Sequence, residues 1–259
     1  MKAPCVLAVG GLDPGGGAGI LADARAIVAA GAFPCAVVAV QTIQSTRGLA
    51  RAEPVDARLW RAQAVRVLDD QRVRALKLGA LGSVANVRAA AKLLASRPKI
   101  PAVVDPVMLP TSGAARLLDA SALGAVKRAL VPRAALVTAN AREAEALTGL
   151  RVRNAEDAGV AARAIVALGA RAALVKGGHL EDARAIDVLV VGRRTILLAA
   201  PRLPLRRPVH GGGCVLASLV AARLALGDGV IAAVRFAKRA HHALLARAID
   251  AGGSLDVLP

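Results

Sequence analysis

Three glycines, Gly211, Gly212 and Gly213, run directly into Cys214 and an apolar, Ala- and Leu-rich helical pattern that lasts to about Leu226. A helix start of this kind turns backbone N–H groups and the positive helix end toward whatever lies there, which suits an anion. The same field would favour the Cys214 thiolate and so set a nucleophile or base beside that anion. A glycine-rich connection with a buried, inert cysteine fits the local pattern equally well. A second glycine loop, Gly15-Gly16-Gly17-Ala18-Gly19, follows a strand-like run at 6–9 and precedes a helical pattern from about Ile20 to Ala30. No lysine follows these glycines and the G-x-G-x-x-G register breaks at Ile20, so neither common phosphate fingerprint fits. Asp13, and Asp23 in the first turn of that helix, are its candidate ligand-facing residues.

Four further groups close strand patterns. Gln44 lies in the polar cluster 41–46 after a strand at 36–40, and its amide can both donate to and accept from a base. In Ala102-Val103-Val104-Asp105-Pro106-Val107-Met108, Asp105 closes a buried strand ahead of Pro106, where it could act on a metal or a phosphate. Asn140 and Glu143, three apart at a helix start, share a helical face; an N-cap with a capping-box glutamate explains them equally well. Lys176, beside Gly177, Gly178 and His179, could reach a phosphate.

The elements that must position these groups alternate. Helical patterns at about 56–68, 84–95, 119–130, 155–168 and 230–249 separate strands at 75–78, 135–138 and 172–175, with a strand pair at 187–191 and 195–199 and a loop or small flap at 47–54. No repeat or linker interrupts them. The expectation is one domain, residues 1–259, with a parallel sheet covered by helices on both faces, and ligands beyond the carboxyl ends of the strands.

Composition narrows the function classes. The chain has 259 residues, 56% of them hydrophobic, with one Trp, two Phe and no Tyr, so its core is built from Ala, Val, Leu and Ile. No apolar run approaches the roughly 20 residues of a membrane span, and the first residues do not read as a secretory signal, which points to the cytoplasm. Three cysteines without metal-ligand spacing suggest neither disulfides nor zinc. A net charge of +17 raises nucleic acid as a partner, but the basic residues are scattered and stacking aromatics are missing. A general field attracting anionic substrates is the better reading.

Taken together, the blocks Gly11-x-Asp13-Pro14-x-Gly16-Gly17-Ala18-Gly19-Ile20-x-Ala22-Asp23, Gln44-x-Thr46-x-Gly48, Lys77-x-Gly79, Asp105-Pro106-Val107-Met108 through Ser112-Gly113, Thr138-x-Asn140-x-x-Glu143-Ala144, Lys176-Gly177-Gly178-His179 and His210-Gly211-x-Gly213-Cys214 carry a resemblance. Nearly end to end, the chain resembles the hydroxymethylpyrimidine and phosphomethylpyrimidine kinases of thiamine biosynthesis, a branch of the ribokinase superfamily. The resemblance implies a three-layer α/β/α sandwich with a mainly parallel sheet, a homodimer, and use of ATP with Mg²⁺. It implies that Gln44 reads an aminopyrimidine with Gly11, Asp23 and Val107 nearby. Lys176, Asn140 and Gly212 would then lie on the nucleotide side, with Asp105 and Glu143 toward the Mg²⁺–phosphate. By the same resemblance, Gly211, Gly213 and Cys214 perform the transfer, Cys214 accepting or orienting the hydroxymethyl proton. The family usually has Thr where this chain has Gly212, Pro at Ala139, and small polar residues at Leu12 and Gly15. A pyridoxal or pyridoxine kinase is the near alternative, Gln44 favouring the pyrimidine. The Gly212 and Leu12 departures motivate another, a non-catalytic pyrimidine-binding relative.

Overall fold

The computed structural model describes residues 3–108 and 117–259. The loop expected at 109–113 lies outside the described residues. The alternation inside β1 (Cys5–Leu12) sets the architecture. Leu7 and Val9 point into one apolar core, Val6 and Ala8 into another, and none is more than 1% exposed. A strand buried on both faces reads as a continuous apolar run, and parallel strands are the ones so buried.

Around β1 the sheet adds β2 (Phe33–Ser45), β3 (Gly48–Pro54), β4 (Val73–Leu78), β5 (Ala102–Val104), β6 (Leu136–Ala139), β7 (Ala172–Val175), β8 (Ala185–Val191) and β9 (Arg194–Ala200). Their order is β3-β2-β1-β4-β5-β6-β7-β8-β9. Pairing is parallel from β2 through β7 and antiparallel at the two edges, so the sheet is mainly parallel as expected.

One face carries α2 (Ala57–Asp70), α3 (Val84–Ser96), the α-helical turn α4 (Leu123–Ala125), α5 (Ala141–Thr148) and α6 (Ala155–Ala167). The other carries α1 (Gly19–Ala29), α7 (Gly212–Ala225) and α8 (Val230–Leu245). The small side chains of α7 let it lie in contact with β1, β4 and β5, with ten of its residues buried. Just before it, β10 (Val209–His210) pairs in parallel with β11 (Asp256–Val257).

Four boundaries differ from the sequence reading, each for a local reason. β2 runs on to Ser45 because it pairs with β3 as a hairpin, so Gln44 sits within the strand instead of beyond its end. The strand expected to close at Asp105 stops at Val104, and Pro106 has no N–H to extend a ladder. The helix expected over 119–130 is a 3₁₀ turn at Ala120–Ala122, then α4, a π turn at Val126–Leu130 and a 3₁₀ turn at Val131–Arg133. Pro132 cannot donate to a carbonyl four residues back, so regular winding ends there. The last helix stops at Leu245, not near 249.

Trp60, fully buried on α2, donates from Nε1 to Asn86 Oδ1 at 3.0 Å. Asn86 in turn donates to the carbonyls of Ala39 and Val55, tying α2 and α3 to the rising end of β2. The buried amide is thereby satisfied.

Candidate active site

The helix caps sort the chain's helices. Asp56, Ser83, Asn140 and Asn154 cap α2, α3, α5 and α6 with side-chain oxygens, whereas α1, α7 and α8 begin without one. At α1 the Gly19 N–H turns to Cys214, and at α7 the first N–H groups remain for a ligand. At α7 the N-cap is Gly211 with φ 77, and a Cβ there would stand 2.0 Å from the Gly17 carbonyl oxygen. Left-handed backbone and close approach together require glycine. The two glycine loops thus pack on each other.

Lys176, at the end of β7, joins the carboxylates. Its Nζ lies 2.9 Å from Asp105 Oδ1 and 3.7 Å from Glu143 Oε2, and 3.0 Å from where a Cβ on Gly213 would stand. Thr138 donates to the same Asp105 oxygen at 2.8 Å. Asn140 and Glu143 form the complete capping box: Glu143 N–H donates to Asn140 Oδ1, and Asn140 N–H to Glu143 Oε2. The structural explanation of that spacing holds, yet the same glutamate also faces Lys176. Burial first, and Asp105 beside it, push the Glu143 carboxyl up to about 7 against the pull of Lys176. Burial would lower the Lys176 ammonium, but Asp105 and Glu143 outweigh it and keep it charged.

Cys214 corrects an expectation. Helix-start placement predicts a favoured thiolate, but burial foremost, with Asp23 and Asp105 adding to it, pushes the thiol up to about 11. Lys77 and the Gly19 backbone N–H pull the other way and lose. Cys214 is therefore a neutral thiol at pH 7. At pH 8 its thiolate fraction falls from about one in four, for an ordinary cysteine, to about one in a thousand. Part of that is returned by the greater nucleophilicity of a more basic sulfur. Iodoacetamide labelling of Cys214 at pH 8, mapped by mass spectrometry, is expected to run at least about tenfold slower than for free cysteine. A rate equal to the free thiol's contradicts this electrostatic reading.

Asp23 is likewise corrected: it lies beyond the first turn of α1, which holds no acidic residue, and is wholly buried. It accepts from Lys77 Nζ at 2.8 Å and from Ser218 Oγ at 2.8 Å, reaching the site through Lys77. Lys77 itself is 1% exposed, and Asp23 foremost, with Asp105, outweighs burial to keep it charged. Sequence reading assigned Lys77 no task. Its signal was a lysine in register with inward-facing Ala75 on β4, since a buried cation demands a partner.

On the hairpin side, Asp13 accepts from the backbone N–H of Gly15 and Ala18 and stands 2.8 Å from His210 Nε2. Burial would raise the Asp13 carboxyl, but His210 and the two N–H groups hold it below the usual carboxylate range. Ionised Asp13 can only accept, so His210 Nε2 carries the proton. The Gln44 amide end lies 3.0 Å from that same Nε2; with its oxygen on that side it accepts the ring N–H and leaves its NH2 for a ligand. Gly11 supports this loop from β1, its carbonyl lying 2.2 Å from a Cβ built on Gly19. Val107, half-buried, packs against the small apolar cluster of Val40, Leu49, Ala80 and Leu117. His210 was seen in the sequence only as part of a motif. Its bridging role depends on Asp13, 197 residues away.

The structure thus gathers Gln44, Gly11, Asp13 and His210 around one glycine loop, and Gly211, Gly212, Gly213, Cys214, Lys176, Asp105, Asn140 and Glu143 around the other. Val107 lies beside the first group and Asp23 beneath the second. Residues 13–257 match the family described as phosphomethylpyrimidine kinase. The chain belongs to that family. Among relatives, the hydroxymethylpyrimidine/phosphomethylpyrimidine kinase of Streptomyces coelicolor is 43% identical over 252 residues, spanning 97% of this chain and 92% of the relative. The thiamine biosynthesis bifunctional protein ThiED of Geobacter sulfurreducens is 39% identical over 90% of this chain but only 47% of its own length. Among solved structures, the Clostridium difficile phosphomethylpyrimidine kinase superposes with a TM-score of 0.80 at 31% identity, covering 93% of this chain and 99% of the other. The Bacillus subtilis pyridoxal kinase, solved as an ADP complex, gives 0.89 at 28% identity, covering 99% and 97%. This phosphomethylpyrimidine kinase family member therefore has the fold expected of it.

Proposed function

We propose that the chain transfers phosphate from ATP to the hydroxymethyl group of 4-amino-5-hydroxymethyl-2-methylpyrimidine, and then to the resulting monophosphate to give the diphosphate. The observation that carries this is the family match across residues 13–257, with the glycine turn, Lys176, Asp105 and Glu143 converging within it. In this reading Gln44 presents its amide NH2 to the aminopyrimidine edge, flanked by Gly11 and Val107. The N–H groups of the 211–214 turn and Lys176 receive the phosphates and stabilise charge on the transferred group. Cys214 orients the attacking hydroxyl as a neutral thiol. A loose phosphoryl-transfer transition state asks for little deprotonation of that hydroxyl, so no thiolate base is required.

Among the described residues no three His, Cys, Asp or Glu side chains converge as a metal site on their own. Mg²⁺ characteristically takes one or two carboxylates and completes its shell with water and substrate phosphates. Glu143 fits such a role: its carboxyl is under-compensated, and Oε1 accepts no hydrogen bond from a described residue. Glu143 and Asp105 would hold the ion, which supplies neutralisation of phosphate charge. Lys176 and Asn140 hold Glu143 in place for it.

The test is ADP production with Mg-ATP and, in parallel, hydroxymethylpyrimidine, its monophosphate and pyridoxal, with Cys214→Ala as control. Turnover of both pyrimidines, lost in the variant, is the expected result. Turnover of pyridoxal alone would replace this reading with pyridoxal kinase, which the structural likeness to the B. subtilis enzyme favours. A folded protein that turns over none of the three is the non-catalytic relative. The single domain, the homodimer and the cytoplasmic setting belong to the same proposal, the dimer being measurable by light scattering.

A further inference from the structure

Thr46, of the block Gln44-x-Thr46-x-Gly48, finds its partner far along the chain: its hydroxyl accepts the Ser254 backbone N–H at 3.0 Å. The neighbouring Gly253 fits against the same side chain, since a Cβ there would stand 2.0 Å from Thr46 Oγ1 and 2.8 Å from Thr46 Cβ. Arg207 holds this turn, donating to the Gly253 carbonyl at 2.8 Å and pairing with Asp250 at 3.0 Å.

A few residues on, the same segment reaches the first glycine loop. Val257 pairs with His210 across β10 and β11, and Gly17 packs against both: a Cβ on it would stand 2.5 Å from His210 Cδ2 and 3.0 Å from Val257 Cγ1. Arg25 Nη2 donates to the carbonyls of Gly16, at 2.6 Å, and Leu258, at 3.4 Å. Ile249 and Val257 exchange backbone hydrogen bonds of 2.9 and 3.0 Å, which closes the segment on itself. One strap, residues 249–258, thus touches the hairpin tip next to Gln44 and also the loop and strand that carry Asp13 and His210.

The tip reaches past the rest of the sheet. Gln44 pairs with Leu49 and Ser45 with Gly48, while β1 accompanies β2 only as far as the pair Leu12 and Gln41. A two-stranded ribbon is marginally stable by itself, so its far end needs an anchor. The strap's bonds supply one, and among the described residues none of them runs to Lys176, Asp105, Asn140 or Glu143. We infer that the 249–258 strap sets the gap between Gln44 and the Asp13–His210 pair, with Thr46 and Gly253 as positioning residues for a small nitrogen-containing ring bound there, and that it acts on this ring and not on the nucleotide. This rests on the kinase reading above, which puts the ring at Gln44 and the phosphates at the 211–214 turn.

The experiment uses Gly253→Ala, Thr46→Val, Thr46→Ser, Gln44→Ala and Gln44→Ala/Gly253→Ala. Each is checked for folding by circular dichroism and titrated by calorimetry with hydroxymethylpyrimidine and, separately, with Mg-ADP; KM for both substrates and kcat follow. Gly253→Ala, whose methyl the short Thr46 side chain cannot escape, is expected to raise Kd and KM for the pyrimidine about tenfold, with Mg-ADP affinity held within about twofold. Thr46→Val loses one modest hydrogen bond and is expected to raise them about threefold, whereas Thr46→Ser keeps the hydroxyl and stays close to wild type. In the Gln44→Ala background the Gly253→Ala effect should shrink to less than about threefold, because the group it displaces is already gone. Thr46→Val adds no bulk and decides the matter if Gly253→Ala does not fold. Unchanged pyrimidine affinity, an equal loss of Mg-ADP affinity, or full additivity with Gln44→Ala overturns the inference alone. A wild-type protein that binds no pyrimidine overturns it together with the kinase reading.

Discussion

Gly211→Ala is expected to lower kcat/KM by about two to three orders of magnitude, the loss that follows when preorganised backbone donors no longer meet the charge developing in a transition state. The cause is geometric. Residue 211 has φ 77, and an added methyl would lie 2.0 Å from the Gly17 carbonyl oxygen and 2.8 Å from Ala18 Cα. Neither neighbour is the end of a flexible side chain, so the turn and the facing loop must part, and the N–H groups of α7 turn away from the phosphate. Because Asp13 and His210 belong to the same facing loop and strand, substrate affinity should fall as well. Gly229→Ala is the matched control, a glycine at the start of α8 with nothing within 4 Å of a built Cβ. ADP production by both variants, with circular dichroism to confirm folding, is the measurement. A Gly211→Ala enzyme within threefold of wild type would refute the geometry.

Lys77→Met is expected to have the largest effect on stability, about 3–5 kcal/mol, because it leaves Asp23 buried without its cation. Lys77 and Asp23 are 1% and 0% exposed, and Ser218 alone cannot compensate the remaining carboxylate. Removing both charges, in Lys77→Met/Asp23→Leu, should recover most of the loss, since a well-packed apolar pair replaces a buried ion pair at little cost. Urea midpoints decide the matter: a double variant no more stable than the single one would mean that packing, not charge, sets the effect. The sign of the pH dependence follows from the raised Lys77 ammonium. Its contribution is fully present below the ordinary lysine value of about 10.4 and is lost only as pH rises through the higher folded value.

Much of the sheet and most strand-end residues were legible because local pattern carries them. Apolar runs bounded by glycine mark buried parallel strands, and Asp105, Asn140 and Lys176 each follow one directly. The length of β2 was not legible: the stretch Thr42-Ile43-Gln44-Ser45 looks like a polar loop until β3 is known to lie beside it. Charges were harder still. The Cys214 thiolate follows from a helix start considered alone, and it fails because the fold buries the sulfur and, second, sets two carboxylates, from α1 and from the end of β5, near it. His241 reads in the sequence as solvated surface, and a histidine flanked by alanine and another histidine on an amphipathic helix gives no hint that its Nε2 lies against a glycine 29 residues earlier in the chain. Local rules placed the groups near the site, and long-range contacts decided their protonation and their partners.

The clamp formed by Trp60 and Asn86 has a spectroscopic consequence. With one tryptophan and no tyrosine in the chain, ultraviolet emission excited at the indole band comes from a single place, the dry layer between α2 and α3. Blue-shifted emission is the expected signature of that layer closed against β2, whereas far-ultraviolet dichroism averages every helix on both faces of the sheet. Unfolding curves from the two signals compare one layer with the whole molecule. Coincident curves mean that the two cores melt as one cooperative unit, and separated curves mean that the layers come apart in turn.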